Sequence, residues 1–289
     1  MSDMKNPRKV LLVVNASRVD AKSAAAQLSD LLLAQGFEIL VSGDSQIPGT
    51  SRFDSATLDK CEIAIVLGGD GTMLRGAEAV RGTNIPLLGV NLGHVGFLAE
   101  VEKPTIEEIS AAVISKSYIC DPRMVLGYAV HRGEVEVARG WALNEVTIER
   151  ESTSMLQLFV QIDRRPLSRW GCDGLICSTP TGSTAYAFSA GGPVVWPEVE
   201  AFVLLPISAH ALFSKPMVVS PNSEIVIDIE STGALLLGDS LRQFRLESGD
   251  RVTITKDSGN VQLAHLSESI FSDRLVAKFK LPVEGWRGE

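Results

Sequence analysis

The sequence has 289 residues, of which 45% are hydrophobic and 21% charged, and its formal net charge is −8. This length suggests about two domains, and the composition is ordinary for a globular chain. Since the acidic balance comes without any cluster of Lys and Arg, it excludes nucleic acid and anionic membrane surfaces as the expected partners.

Two further features of the whole chain bear on its location. The apolar run Val10–Val14 is too short for the core of a signal peptide, and no stretch is apolar enough over a sufficient length to span a bilayer. The four cysteines are irregularly spaced without a C-x-x-C pair, and the His residues are scattered. We therefore expect a cytoplasmic protein with no zinc site and no disulfide framework.

The first part of the chain alternates short apolar strands with helices. Helical spacing of Ala and Leu predicts a helix over 21–35, which Gly36 ends. Thr105 and Glu108 form a capping-box pattern that opens another helix, to about Ser115. Apolar runs predict strands at 10–14, 37–41, 63–67 and 87–90. This alternation predicts an α/β N-terminal domain with a Rossmann-like parallel sheet.

The strand at 63–67 ends in Gly68-Gly69-Asp70-Gly71-Thr72. The glycines let a ligand approach the backbone, and a short helix predicted from Met73 to Val80 would point its unpaired N–H groups at a phosphate. The motif is neither a P-loop nor a G-x-G-x-x-G fingerprint. A carboxylate in such a site either holds a metal or orients and deprotonates an attacking hydroxyl, and both are tasks of phosphoryl transfer. The alternative is a tight turn in which Asp70 only caps the helix.

A second glycine-bearing loop, Asn91-Leu92-Gly93-His94-Val95-Gly96-Phe97-Leu98, follows the strand at 87–90. Ligands on parallel sheets bind beyond the carboxyl ends of strands, so this loop is a second candidate for ligand contact. Simple reversal of the chain direction is an equal alternative.

The pattern changes from residue 124 to about residue 265, where apolar residues mostly alternate and turn residues recur. Strands are predicted at 225–229 and 251–255, and residues 163–166 are typical of a turn. Many short strands separated by turns predict a β-rich, sandwich-like C-terminal domain. Helical spacing over 270–279 predicts a final helix that packs back on the first domain.

Two stretches of this second part carry unusual polar residues. Asn144 and Glu145 interrupt a strand-forming segment, and an amide beside a carboxylate suits ribose hydroxyls if the strand ends there. A solvated strand edge is the alternative. The run from Ser178 to Ala185 is rich in small and hydroxylic residues, as nucleotide pockets require, and Tyr186 adds a stacking face. Ser183 lacks the G-x-S-x-G frame of a hydrolase.

Taken in order, these motifs resemble the NAD kinase family over nearly the whole chain. The resemblance rests on Gly68–Thr72, Asn91-Leu92-Gly93 with Gly96-Phe97-Leu98, Asn144-Glu145, Asp173-Gly174, and Thr179–Tyr186 followed by Ser189–Pro193. The glycine turn alone is shared with lipid kinases and phosphofructokinase-like enzymes, whereas the Thr-Pro-Thr-Gly stretch is far more specific. The resemblance implies an enzyme that uses ATP, or inorganic polyphosphate, to phosphorylate the 2′-hydroxyl of the adenosine ribose of NAD.

The resemblance also implies roles for individual residues. Asp70 would be catalytic, orienting or deprotonating that hydroxyl. The residues implied to bind the nucleotides are Gly68, Gly69, Gly71 and Thr72 at the phosphates, Asn91 in the second loop, Asn144 and Glu145 at the ribose region, and Asp173, Thr184, Ala185, Tyr186 and Ser189 in the NAD pocket. Mg²⁺ would bridge the ATP oxygens rather than occupy a protein cage, so no metal ligand is predicted.

The family's organisation is expected here as well. Residues 1–121 would form the α/β domain carrying the glycine turn, residues 122–265 the β-rich NAD-binding domain, and residues 266–289 a segment packing back on the first. The family analogy also implies a homodimer or homotetramer.

Three positions depart from familiar members of the family. Gly171 takes the place of an Arg found in some members, Met155 that of a His, and Leu241 that of a Gln found in many. These departures leave NAD versus NADH selectivity and the choice of phosphoryl donor open. Two other functions remain as alternatives: a lipid kinase of the diacylglycerol or sphingosine type, which needs a membrane-facing surface, and a non-catalytic NAD-binding sensor.

Overall fold

The computed structural model describes residues 7–43, 46–92, 96–98, 104–268 and 271–283. The chain divides into two compact units. The first takes the residues up to Pro122 together with those from Val261 onward, and the second is Arg123–Asn260. The chain therefore returns to the first unit after it has completed the second.

The secondary structure elements follow one another along the whole chain. The helices are α1 Val19–Ala34, α2 Asp70–Ala79, α3 Ile106–Ser115, α4 Tyr186–Ser189 and α5 Phe271–Phe279. Short 3-10 helices cover Ser55–Lys60 and Thr181–Thr184. The strands are β1 Lys9–Val14, β2 Glu38–Ser42, β3 Ser51–Arg52, β4 Cys61–Leu67, β5 Leu87–Val90, β6 Ile119–Arg132, β7 Val135–Ala142, β8 Glu145–Arg150, β9 Leu156–Ile162, β10 Arg165–Cys172, β11 Gly174–Ser178, β12 Phe202–Ile207, β13 Met217–Val219, β14 Ile225–Ile229, β15 Ala234–Gly238, β16 Arg242–Leu246 and β17 Asp250–His265.

The first unit is built on a parallel sheet in the order β5-β4-β1-β2-β3. The end of β17 adds to it, pairing parallel with β5 where Leu263 faces Leu87. Ile65 belongs to the core formed with α1 and α3 on one face of the sheet. Helix α2 covers the other face, where a Cβ on Gly76 would come within 2.8 Å of the Val66 side chain. Adjacent strand residues thus serve opposite helix layers.

The strand order creates a switch point between β1 and β4. From β1 the chain winds to β2 and β3 on one side, and it then crosses to β4 and β5 on the other. In open parallel sheets, ligands bind at such a point, outside the carboxyl ends of the strands. The glycine turn after β4 lies beyond such a carboxyl end, as the sequence predicts, and the strand order adds that this end is at the switch point.

The second unit consists of two sheets packed over a common core. One sheet has the order β10-β9-β14-β17, and β6 pairs with β17 and with β7. The other is antiparallel in the order β13-β12-β11-β8-β15-β16. Inward-facing residues of both sheets form the core, for example Trp170, Phe202 and Leu158. A second apolar cluster, with Ile176 and Ala187, covers the outer face of the antiparallel sheet.

These elements confirm the predicted fold class, an α/β unit followed by a β-rich, sandwich-like one. The capping box at Thr105 is formed in both directions, with Glu108 bonding back to the Thr105 N–H at 2.8 Å. The predicted turn at 163–166 is shorter than expected, because Asp163 and Arg164 alone take positive φ (51° and 61°) and Arg165 already begins β10. Among the helices of the described residues, none is long and apolar enough to cross a membrane.

Candidate active site

The glycine turn after β4 leads directly into α2. The helix begins at Asp70 itself rather than at Met73 as predicted, and Gly69 precedes it in an extended conformation. Asp70 therefore lies in the first helical turn, where the helix dipole stabilises a carboxylate. Gly69 and Gly71 are exposed and Asp70 is half-buried, so the turn presents its backbone and one carboxylate on the surface.

The glycines of this turn serve different purposes. A Cβ on Gly68 would lie 2.3 Å from the Thr72 hydroxyl, so this glycine is required by internal packing. A Cβ added to Gly69 or Gly71 would meet no heavy atom within 4 Å. Since Thr72 is itself buried, the part of the motif open to a ligand is Gly69, Asp70 and Gly71.

The second loop holds the Asp70 carboxylate. The backbone N–H groups of Phe97 and Leu98 donate to its two oxygens, at 3.4 and 3.3 Å. A Cβ on Gly96 would lie 2.2 Å from Asp70 Oδ1, so only glycine allows this approach. Asn91, just after β5, is buried. Residues 93–95 of the predicted loop lie outside the described residues.

In the second unit, Asn144 and Glu145 lie at a break between two strands. Strand β7 ends at Ala142 and β8 begins at Glu145, which is the condition under which both side chains can serve one ligand. Asn144 is 7% exposed and Glu145 6% exposed. The alternative of a solvated strand edge is therefore wrong.

Hydrogen bonds join the hydroxyl-rich stretch that begins at Ser178 to the segment between β7 and β8. The Thr179 hydroxyl donates to the Leu143 carbonyl at 2.6 Å, and the Ser178 hydroxyl donates to the Asn144 carbonyl at 3.2 Å. A Cβ on Gly182 would come within 2.1 Å of the same Asn144 oxygen. Ser183 donates to the Pro180 carbonyl. The protons of these three hydroxyls therefore stabilise the protein's own backbone, while their oxygens keep the capacity to accept.

Glu145 is the most perturbed acid in this region. Burial first, and then the charges of Asp239 and Glu149, raise the pKa of its carboxyl to about 8, while the Tyr186 N–H opposes the rise. Among the described residues, no group bonds to Glu145 Oε2, which is buried. An unsatisfied buried oxygen is costly, so a polar group of a ligand is the partner that this position suits.

The remaining predicted residues spread along the same outer face. Thr184 and Ala185 are half-buried, and Tyr186 and Ser189 are exposed on α4. Asp173 precedes β11, at the opposite end of that strand from the Ser178 region, and pairs with Arg150 at 3.1 Å. Since β11 has five residues, these ends lie roughly 13 Å apart.

Sequence reasoning missed Asp239, which orders the Asn144–Glu145 break from a distance. Its buried carboxylate accepts hydrogen bonds from the N–H groups of Leu143, Asn144 and Glu145, at 2.8, 2.7 and 3.4 Å. Arg242 donates to the same carboxylate at 2.9 Å. A signal was present, because an Asp-Ser pair between two strands is typical of a tight hairpin turn, but its partners could not be read from it.

Replacing this carboxylate by an amide, Asp239→Asn, is expected to raise the KM for the nucleotide that binds at Asn144 and Glu145 by about tenfold. The amide nitrogen would face backbone donors, and Arg242 would lose its charged partner. Steady-state kinetics would show it, with kcat changing less than KM. Asp228→Asn is the matched control, since Asp228 also accepts from an arginine, Arg251, on the other sheet. Equal KM values in the two variants would contradict the proposal that Asp239 positions Asn144 and Glu145 for the nucleotide.

Two of the unusual positions contact each other. A Cβ on Gly171 would come within 2.7 Å of the Met155 side chain, so Met155 occupies the space into which a larger residue at 171 would project. Leu241 is 42% exposed in the turn after Asp239. The space beside Gly171 is thus filled by the side chains of Met155 and Gln157.

A carboxylate on an open glycine turn at the switch point of a parallel sheet, followed by a β-rich unit with a polar, partly unsatisfied binding face, defines a two-domain nucleotide phosphotransferase. Family models agree: one described as "ATP-NAD kinase N-terminal domain" matches residues 10–118, and one described as "ATP-NAD kinase C-terminal domain" matches residues 143–266. NAD kinase 2 of Streptomyces avermitilis is 46% identical over 292 residues, covering 97% of each chain.

Solved structures are similar over the whole length. Yeast NADH kinase complexed with NADH has a TM-score of 0.87 at 23% identity, covering 99% of this chain and 91% of that one, and supports the fold. An NAD kinase from Archaeoglobus fulgidus in complex with ATP has a TM-score of 0.71 at 26% identity, covering 95% and 99%. The chain belongs to the NAD kinase family, and its function is that of an NAD kinase. The lipid-kinase and sensor alternatives find no support in these comparisons.

Proposed function

We propose that the enzyme transfers the γ-phosphoryl group of ATP to the 2′-hydroxyl of the adenosine ribose of NAD, giving NADP. The observation that carries this proposal is the placement of Asp70, half-buried between exposed glycine backbone and the N–H donors of Phe97 and Leu98. A carboxylate held by long hydrogen bonds retains the capacity to accept a further one from a substrate hydroxyl.

Asp70 would act mainly by orienting that hydroxyl for attack. Phosphoryl transfer passes through a loose transition state that asks little of a base, so positioning and charge neutralisation supply most of the catalysis. Gly69 and Gly71 would let the phosphates approach the start of α2, whose N–H groups favour anions. Gly68 and Thr72 would shape the turn from behind.

The NAD pocket would follow the outer face of the antiparallel sheet in the second unit. Asn144 and Glu145 would bind the ribose region at one end of β11, where a ligand hydroxyl would supply a hydrogen bond to the buried Glu145 Oε2. Asp173 would contact the ligand at the other end of β11, and Tyr186 would stack on a ring. The separation along β11 requires an elongated ligand, which favours a dinucleotide over a mononucleotide. The nearby Thr184, Ala185, Ser189 and, in the first unit, Asn91 complete the proposed set.

The donor would be ATP with Mg²⁺, although inorganic polyphosphate remains an alternative donor. One half-buried carboxylate, Asp70, fits a cation that is held mainly through substrate phosphates and water. Within the described residues, no cluster of His, Cys, Asp and Glu forms a protein cage for a metal. Bound Mg²⁺ supplies neutralisation of the phosphate charge.

We also propose a homodimer or homotetramer in the cytoplasm. Large apolar side chains are exposed in one loop of the second unit, where Leu212 is fully exposed and Phe213 is 54% exposed. Burial of such side chains between copies of the chain would be favourable. The division into residues 1–121, 122–265 and 266–289 stays a prediction.

Incubation of the purified protein with ATP, Mg²⁺ and NAD, and then with NADH, tests the proposal directly. NADP(H) is read with a coupled dehydrogenase, and polyphosphate replaces ATP in a parallel reaction. We expect ATP-dependent formation of NADP from NAD, and light scattering of the same preparation should give a mass above that of one chain. Absence of any phosphorylated dinucleotide with either donor would refute the proposed reaction.

A further inference from the structure

The C-terminal helix α5 packs against the segment that holds Asp70. The ring of Phe97 contacts the rings of Phe271 and Phe279, with centroids 6.3 and 5.6 Å apart. Phe97 itself is 8% exposed. This aromatic cluster joins the two ends of α5 to the residue whose backbone N–H donates to the Asp70 carboxylate.

Between those two phenylalanines, α5 carries a buried arginine. Arg274 is 2% exposed, and its guanidinium donates to the Phe97 carbonyl at 2.9 Å. Its other terminal nitrogen lies 2.9 Å from His265 Nδ1, at the end of β17. Because a guanidinium only donates, His265 must accept at Nδ1 and carry its proton on Nε2, which lies 3.8 Å from the Asp121 carboxylate.

A single peptide group connects Arg274 with Asp70. The Phe97 carbonyl and the Leu98 N–H are the two ends of one planar unit. Arg274 donates to the Phe97 carbonyl oxygen, and the Leu98 N–H of the same peptide group donates to Asp70 Oδ1 at 3.3 Å. A charged donor on the carbonyl fixes the plane of the peptide and polarises the N–H at the other end, which strengthens the bond to the carboxylate.

We propose that Arg274, supported by His265 and Asp121, is a positioning residue for Asp70. It acts through the peptide between Phe97 and Leu98 and sets the direction in which the carboxylate faces the substrate. The proposal rests on the catalytic role proposed for Asp70. Its consequence is that the C-terminal helix, far from the glycine turn in sequence, governs the rate of the chemical step.

Arg274→Gln tests this proposal, with Arg274→Lys as the conservative variant. Loss of the guanidinium leaves the Phe97 carbonyl free to rotate and is expected to lower kcat about 10- to 100-fold, the scale of a small misplacement of a catalytic group. The KM for NAD should change less than about twofold, because the dinucleotide residues proposed here lie elsewhere. Arg274→Lys should recover part of the loss.

A comparison in the Asp70→Asn background separates positioning from general damage. If Arg274 acts through Asp70, Arg274→Gln should cost little further kcat in that background, whereas independent effects would multiply. Leu275→Ala is the matched control, since Leu275 is also buried on α5 and its side chain has no hydrogen-bond donor. It should lower Tm while keeping kcat within about twofold.

Each outcome bears on the proposal. Multiplied losses in the double variant, or a kcat loss in Leu275→Ala equal to that in Arg274→Gln at matched Tm, would overturn the positioning role. Unchanged kcat in Arg274→Gln would also overturn it while leaving Asp70 in place. Normal kcat in Asp70→Asn alone would instead refute the catalytic role proposed for Asp70, so the two failures are distinguishable.

Discussion

Asp70→Asn is expected to cut kcat by about 10²-fold or more, the scale on which a positioned acid–base group contributes. The amide preserves the shape of the side chain but removes one acceptor oxygen and the negative charge. The backbone donors at Phe97 and Leu98 would still hold one oxygen, so the loop should remain in place. Steady-state assays with ATP and NAD, together with calorimetric titration of NAD, would measure turnover and affinity separately.

Affinity for NAD should stay largely intact in this variant, because the residues proposed to bind the dinucleotide lie in the second unit. Asp30→Asn is a suitable control, since it makes the same change at an exposed position of α1. The control should match the parent protein in both measurements. Near-normal turnover of Asp70→Asn, or loss of binding without loss of rate, would contradict the assignment.

Glu145→Gln is expected to change how stability depends on pH. Burial raises the pKa of Glu145 from its ordinary value of 4.5 to about 8. Between these values the folded state binds more protons than the unfolded state, so the free energy of unfolding falls as pH rises. The fall begins near pH 4.5, ends near pH 8, and amounts to a loss on the order of 5 kcal/mol in the parent protein.

An amide at this position does not titrate, so the variant lacks this fall. Near pH 5 the two proteins should have similar stability, because Gln resembles the protonated carboxyl, and by pH 8 the variant should be the more stable one. Urea denaturation at closely spaced pH values would measure the difference. Glu134→Gln, at an exposed turn position of the same unit, should run parallel to the parent. A parallel curve for Glu145→Gln as well would show that Glu145 is ionised at lower pH.

Several elements could be predicted because their signals lie among near neighbours in the chain. The apolar run at 87–90 forms β5 over those same residues. The helix from Thr105 has its capping box because Thr105 and Glu108 are one helical turn apart. The glycine turn was identified for the same reason, since an apolar strand followed by Gly68, Gly69 and Gly71 is a local pattern.

Other features depended on contacts that no local pattern contains. The hydroxyls of Ser178 and Thr179 donate to the backbone at 143 and 144, which the antiparallel pairing of β8 with β11 brings alongside. The burial of Asn144 and Glu145 follows from the same pairing. Asp239 accepts a hydrogen bond from Glu145, which lies 94 residues away in the chain. The residues next to Asp239 in the sequence therefore do not indicate its partners.

The sequence by itself determined the alternation of strands and helices in the first part, the division into α/β and β-rich parts, and the chemical character of the candidate site, because periodicity, capping and turn chemistry act between residues close in the chain. Only the tertiary structure decided that the glycine turn lies at the switch point of its sheet, that the pKa of Glu145 rises, and that the N–H groups of Phe97 and Leu98 donate to Asp70. Burial and hydrogen-bond direction depend on groups that come together only when distant segments pack, and these set the electrostatics and geometry of the site.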